Sequence, residues 1–271
     1  MFHYSKSQSG FAAAFSTLRL IFVTTARHIR KSNKSPIIGL LMNILKTLML
    51  VAIFAMIMSI LGMRSTAIRG DFILYVMTGV FLFRTHIGAL SDVSAAPNGL
   101  SAMTLHAPMN TTIAVTSAAL SNLFTQILSF VVVLSVYSLG WGAVHFQNLK
   151  GAFGMLLLAW ASGASIGMVF LAAKPWAPSF ISIFQVMYMR ANMFTSGKMF
   201  VANAMPGYML ALFSWNPLFH TIDQARGFTF VNYNPHHSNY IYPIYFTLVF
   251  ITIGLLGEFF TRKRISLSWM K

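Results

Sequence analysis

The chain has no cysteine and, among 271 residues, only four acidic ones: Asp71, Asp92, Asp223 and Glu258. Without cysteine there is no disulfide framework and no thiol nucleophile. Charged residues make up 8% of the sequence, too few to give a soluble domain of this size a hydrated surface. A phosphate-binding loop is also missing. Gly197-Lys198 lacks both the following Ser or Thr and the upstream glycine, so the chain is not expected to hydrolyse ATP itself. No internal repeat stands out, which leaves inverted-repeat secondary transporters without support. No cleavable signal peptide is expected, because the first hydrophobic segment follows the basic stretch 1–35 and is too long for a signal core.

What the sequence does contain is hydrocarbon. Apolar residues reach 56% and the mean hydropathy is +0.68, so lipid is the expected solvent. The net charge of +15 would suit nucleic acid, but the cations flank hydrophobic runs instead of gathering on one soluble face. A nucleic-acid binder is thereby excluded.

Segment 1–35 reads as a cytoplasmic or interfacial piece, with Phe11, Phe15, Leu18, Phe22 and Ile29 near one helical face and Arg19, Arg27, Arg30 and Lys31 elsewhere. The alternative is an ordinary tail. The remainder, 36–271, reads as one all-α membrane domain with six spans at about 37–62, 72–90, 112–139, 151–172, 180–200 and 241–260. Pro36 opens the first, where its missing N–H costs nothing. Segment 91–110 is small, polar and turn-prone, and 201–240, with Pro206, Pro217 and Pro235, is too mixed to form a clean span. Lys and Arg are concentrated at the two ends of the chain, which favours cytoplasmic termini.

Within 201–240 the run from Ser214 to Arg226 reads Ser-Trp-Asn-Pro-Leu-Phe-His-Thr-Ile-Asp-Gln-Ala-Arg. It is a proline-started helical stretch too short and polar to cross. Irregular backbone at membrane depth survives only beside protein or a wet cavity, so a re-entrant or interfacial element at the outer face is expected.

Trp215-Asn216-Pro217-Leu218-Phe219-His220, with Asp223 and Arg226 behind, resembles the signature WNPLxHxxExxR ahead of the last span of ABC-2 type permeases, most closely the capsular-polysaccharide and O-antigen exporters. Asn98-Gly99-Leu100, Leu105 and Pro108, running on to Leu120, resemble that family's cytoplasmic element. Thr25-Ala26-Arg27-His28-Ile29-Arg30 with Gly39 resembles its entry segment, although His28 replaces an acid and Asp223 stands for the commoner Glu. The likeness covers essentially the whole chain.

The resemblance implies the type V exporter fold and a permease subunit in the bacterial inner membrane. It would work as a homodimer with two separate ATP-binding cassette ATPases that carry ATP and magnesium. Asn98, Gly99, Leu100, Leu105 and Pro108 would belong to the ATPase-coupling element, and Asn216, Pro217, His220, Asp223 and Arg226 to the re-entrant motif. The cargo would be a polysaccharide or glycolipid, which proteins of the periplasm or outer membrane could carry onward. A permease for drugs or small lipids is the alternative.

Lys46, Arg84 and Arg190 fall within spans and are read as having no intramembrane acid to pair with. Either they line an electropositive conduit, with Tyr188, Trp215 and Phe219 stacking on sugar, or the cations snorkel and the aromatics anchor. Arg27 and Arg30 are candidates for a lipid anchor's phosphate. Gly163-Ala164-Ser165-Ile166-Gly167 fits close helix packing. It also mimics a serine-hydrolase elbow, for which His86 is the embedded candidate base. His236-His237 has no third ligand nearby to suggest a metal site.

Overall fold

The computed structural model describes residues 10–31, 36–60, 71–97, 110–142 and 144–264. Nine α-helices are found among them: α1 Gly10–Lys31, α2 Pro36–Ile60, α3 Phe72–Ser94, α4 Thr111–Trp141, α5 Leu149–Ala173, α6 Pro178–Thr195, α7 Gly207–Phe213, α8 Pro217–Thr229 and α9 Ile241–Arg264. Local chemistry sets many of the ends. Proline starts α2, α6 and α8. Asp71 caps α3 by accepting from the Ile73 N–H at 3.0 Å, and Asn148 caps α5 through the Gly151 N–H at 3.0 Å. Just beyond α6, Gly197 adopts φ +70°, the left-handed conformation that stops a helix most cheaply with glycine.

Five helices are long and apolar enough to cross a membrane, giving candidate spans Leu41–Ile60, Phe72–Ser94, Thr111–Gly140, Leu149–Ala173 and Ile241–Arg264. The protein is thus an all-α, multi-pass membrane protein among its described residues. The fifth span expected over 180–200, broken by Arg190, Asn192 and Lys198, is not among those candidates: α6 ends at Thr195, carries Gln185, Arg190 and Asn192, and is not hydrophobic enough to count with the others. The second span also runs longer than expected, to Ser94, which brings Asp92 inside a spanning helix. The spans therefore do contain acids, Asp92 in α3 and Glu258 in α9.

Side-chain contacts give the helix directions. Asp92 meets Asn122, Phe81 meets Phe130, and Tyr75 shares a core with Tyr137, so α3 and α4 are antiparallel. The small-residue face of α5 lies along α3 in parallel. A Cβ on Gly163 would sit 2.1 Å from the His86 carbonyl oxygen, and one on Gly167 would sit 2.7 Å from that of Leu90. Close packing through small residues is therefore what this sequence stretch does. α9 runs parallel to α5, with Gly254 on Met168 and Gly257 on Ala172.

Parallel α5 and α9 require the chain between them to return across the bundle. α6 makes that return. Gln185 bonds the Ser94 hydroxyl at one end of α3, and the Lys198 carbonyl lies against Gly79 toward the other. Those α3 positions are about 22 Å apart along the helix axis.

α1 lies against α4 and α2 through the side that buries Thr24, while Phe15, Leu18 and Phe22 point away from the chain. The amphipathic reading of this segment therefore describes a helix whose apolar stripe is free to meet lipid.

Candidate functional site

The motif-bearing segment 196–240 folds into a hairpin over the end of the bundle where α2 and α4 finish and α3 and α5 begin. Pro217 sets the first turn of α8. Asn216, just before it, accepts from the Leu218 N–H at 3.0 Å and donates to Asn192 Oδ1 at 2.9 Å and Thr195 Oγ1 at 3.0 Å. One side chain therefore caps α8 and ties it to the end of α6.

His220 bonds the Ser214 carbonyl through Nε2 at 2.8 Å and accepts the Asn239 N–H at Nδ1, 3.1 Å away. That pair of bonds needs the neutral ring protonated on Nε2. Burial lowers its pKa below the ordinary histidine value, outweighing the opposing effects of the Ser214 carbonyl and Asp223. Asp223 accepts from the Tyr233 hydroxyl and, at 2.7 Å, from the Ser238 hydroxyl, securing the loop that leads into α9. Burial and the Asp223 carboxylate together push the Tyr233 hydroxyl pKa up.

Arg226 is 1% exposed. Its guanidinium donates to the carbonyls of Gly197 at 3.0 Å, Phe200 at 2.7 Å and Lys198 at 2.6 Å. It also lies 4.1 Å from the Tyr75 ring centre. The absence of a side chain at Gly79 makes room, since a Cβ there would come within 3.0 Å of Arg226 Nη2. The polar motif members Asn216, His220, Asp223 and Arg226 thus each tie α8 to a different segment, His220 and Arg226 through backbone groups and Asn216 and Asp223 through side chains. Phe219, a candidate for sugar stacking, is buried against Phe213 and His220 and packs the hairpin instead. Trp215 is 81% exposed at the hairpin's edge, where its carbonyl accepts from the Tyr242 hydroxyl.

A second polar region lies in the other half of the bundle, a cavity of roughly 830 Å³ walled mainly by α2, α3 and α4, with α1 and α6 touching its edge. Lys46 and Arg84 both line it, together with Asp92. Arg84 Nη2 donates to Asn43 Oδ1 at 2.6 Å, and Asn43 is steadied by its own bond to the Ser129 hydroxyl at 2.8 Å. Arg190 is not part of this wall; it is exposed on α6, whose contribution to the lining is Met189. Lys46 and Arg84 are therefore brought together, and Arg190 is apart. Tyr188 is also elsewhere, its hydroxyl 3.0 Å from His86 Nε2.

His86 joins α3, α5 and α6, since its Nδ1 lies 3.0 Å from Ser162 Oγ and 3.1 Å from the Ala159 carbonyl. Ser165 bonds the Ser162 carbonyl within its own helix. The hydrolase pairing of Ser165 with His86 is thus not assembled: the hydroxyl at His86 belongs to Ser162, itself buried and donating to Ala159.

Lys198 is buried with Nζ 3.4 Å from the Phe83 ring centre and 4.5 Å from that of Phe54, without a hydrogen-bond partner among the described residues. Arg27 is exposed on α1, and Arg30 lies in the same helix. The coupling candidates Asn98, Gly99, Leu100, Leu105 and Pro108 lie outside the described residues.

Asn43, Tyr75, Asn122 and Ser238 were not singled out by sequence. Each is an ordinary polar or aromatic residue whose partner is distant in the chain, so no local spacing marks it. Tyr233, another aromatic candidate for stacking on sugar, is instead buried and donates to Asp223. Comparison of the chain with family models and with curated proteins gives no match to either.

Proposed function

We propose that this chain is the membrane subunit of an ABC exporter for a polysaccharide, in the bacterial inner membrane with both termini cytoplasmic. Two copies would pair and each would engage a separate ATPase, which supplies ATP and magnesium chemistry. The observation that carries the reading is the hairpin of 196–240, in which Asn216, His220, Asp223 and Arg226 of the signature all serve one construction: a short, non-crossing helix held rigidly over one end of the bundle. A rigid cap at that end suits a transporter that is moved from the opposite end.

The helix directions agree with this scheme. With α6 as the sixth, more polar crossing, the end of α3 and the start of α4 fall on the side away from the hairpin. The connection 98–109 would there receive motion from the ATPase. Arg190, exposed on this polar crossing, remains the cation that an anionic glycan would meet between paired copies.

Because the chain has no cysteine, single cysteines report topology without any background. Cysteine at Asn203 should react with an impermeant reagent from the outside, and cysteine at Ala95 only after the membrane is opened; labelling of both from one side would sink the scheme. For function, affinity-tagged protein should co-purify a small ATPase with a nucleotide-binding motif, and deletion should remove a surface glycan. A deletion strain with unchanged surface glycans and an unaccompanied protein would refute the proposal.

A further inference from the structure

The short helix α7 is apolar on two opposite faces, and the protein covers only one of them. Met209, Leu210 and Phe213 pack inward in one cluster with Phe200, Ala202 and Phe219. Tyr208, Leu212 and Trp215 point the other way and are 77%, 68% and 81% exposed. Their spacing of four and three residues puts them on one helical face, which Ser214 extends to Trp215 by keeping helical dihedrals. No Asp, Glu, Lys or Arg lies between Lys198 and Asp223, so this face offers a partner no salt bridge. On α8 the apolar residues Leu218, Phe219 and Ile222 are all buried. Of the two helices, α7 is the one with a surface left to cover.

The level of that surface follows from α9. Tyr242, in the first turn of α9, donates to the Trp215 carbonyl at 2.8 Å. At the other end of α9, Thr261 accepts from Trp176 Nε1 at 2.8 Å, and Trp176 stacks on Phe260. Tyr242 and Thr261 are about 28 Å apart along the helix axis, against a hydrocarbon core of about 30 Å. Between them α9 exposes Tyr245, Leu248, Val249, Leu255 and Leu256, and Arg262, Lys263 and Arg264 follow directly after Thr261. Tryptophan and tyrosine combine an apolar ring with one polar atom, and they gather where hydrocarbon gives way to headgroups. Two such layers, separated by an apolar row of matching length, mark the two interfaces. Trp215 belongs to the layer at the hairpin end.

Continuity decides what covers the face. Through the contact of Trp215 with Tyr242 it runs on into Tyr245 and Leu248, which a spanning helix already turns outward among the acyl chains. Water would leave this apolar area uncovered, and a soluble partner would have to displace the lipid beside α9 to reach it.

We infer that the outward face of α7, formed by Tyr208, Leu212 and Trp215, lies in the bilayer interface at the hairpin end, with lipid as its partner. The hairpin is then fastened twice, to the bundle by Asn216 and Arg226 and to one leaflet by α7. Trp215 presents its ring to lipid instead of sugar. This goes beyond the export reading and requires neither an ATPase nor a glycan.

The absence of cysteine allows one spin label at a time. Full-length protein with Tyr208→Cys, Leu212→Cys or Trp215→Cys is labelled and reconstituted into phosphatidylcholine vesicles. Relaxation of each label by oxygen is compared with relaxation by a water-soluble nickel chelate. Leu248→Cys, within α9, is the deep reference, and His237→Cys, on the polar loop before α9, is the wet one. Oxygen concentrates in hydrocarbon, so the oxygen-to-nickel ratio at Leu212 should exceed that at His237 by about threefold or more and stay below that at Leu248. Lipid brominated on the chains near the headgroup should also quench the parent's tryptophan fluorescence more than that of Trp215→Phe. Circular dichroism and elution volume identify the folded variants, and the bromolipid comparison decides where a labelled variant does not fold. Ratios at Tyr208 and Leu212 equal to that at His237 would overturn the inference. So would protection of both labels from both reagents, which would assign the face to a protein partner, or equal quenching of parent and Trp215→Phe. Labels in lipid on a protein that never engages an ATPase would overturn the export reading alone.

Discussion

Arg226, near the end of the hairpin helix α8, stacks on Tyr75 in the first turn of α3 with 4.1 Å between the guanidinium carbon and the ring centre. Three backbone carbonyls complete its surroundings. A cation in a region this apolar is tolerable because carbonyl dipoles and a ring face replace its water.

That arrangement separates the roles of charge, shape and ring. Arg226→Ala leaves three carbonyls without donors, at a cost of at least about 3 kcal/mol. Arg226→Lys keeps the charge but not the fork, and should recover less than half of the loss. Tyr75→Phe keeps the ring and removes a hydroxyl that has no partner among the described residues, so its stability should stay within about 0.5 kcal/mol of the parent. Thermal unfolding of the three variants in one detergent measures the ordering. If Arg226→Lys matched the parent, the fork geometry would not matter.

The contact between α3 and α5 makes a second prediction. Gly163 and Gly154 are both in α5, yet a Cβ at Gly163 would collide with the His86 carbonyl while one at Gly154 would meet nothing within 4 Å. Gly163→Ala should force α3 and α5 apart and disturb the His86–Ser162 contact, destabilising by about 1–3 kcal/mol. Gly154→Ala should be neutral or stabilising by up to about 1 kcal/mol, through higher helix propensity. Equal effects at the two positions would show that the two helices are not in this register.

These cases also define what the sequence makes legible. The apolar helices are visible because membrane crossing imposes length and hydropathy on consecutive residues. Pro36 and Pro217 mark boundaries because their backbone chemistry is local. α6 is legible only as a span broken by Arg190, Asn192 and Lys198, because hydropathy alone does not set its course, which follows from the parallel packing of α5 and α9. Within the hairpin, the residues Asn216, His220, Asp223 and Arg226 stand out as a cluster. Their partners Tyr75 and Ser238 do not, and Asn192 and Tyr233 stand out for other reasons, since none of those pairings is marked by local spacing. The grouping of Lys46 with Arg84, and the exclusion of Arg190 from that group, likewise depend on tertiary packing through Asn43.

Asn216 offers a test that distinguishes capping from cross-linking. Asn216→Asp keeps the acceptor for the Leu218 N–H and places a negative charge at the start of α8, but loses the two donors to Asn192 and Thr195. Asn216→Ala loses everything, and should cost about 2 kcal/mol or more. The expected order is parent, then aspartate, then alanine in thermal stability. Limited proteolysis should show cleavage in 196–206 rising in both variants, because both release the end of α6. Aspartate as resistant as the parent would mean that the cap alone matters.

His220 makes the stability of the hairpin depend on pH, with a sign set by its two bonds. The ring donates from Nε2 and accepts at Nδ1, so protonation would destroy the acceptor that holds the Asn239 N–H. Its folded pKa is accordingly below the ordinary value of 6.5, chiefly through burial, and the unfolded chain takes up the proton first as pH falls. Both states are neutral well above pH 6.5, and the ring then contributes no slope. As pH drops through 6.5 the unfolded state binds more protons, and stability is lost until the folded pKa is passed. Asp223, on the same face, acts in the opposite direction and limits the loss. The unfolding free energy of the parent should therefore fall between about pH 7 and pH 5, and His220→Gln should flatten that part of the curve. An equally steep acid slope in His220→Gln would assign the dependence to another group.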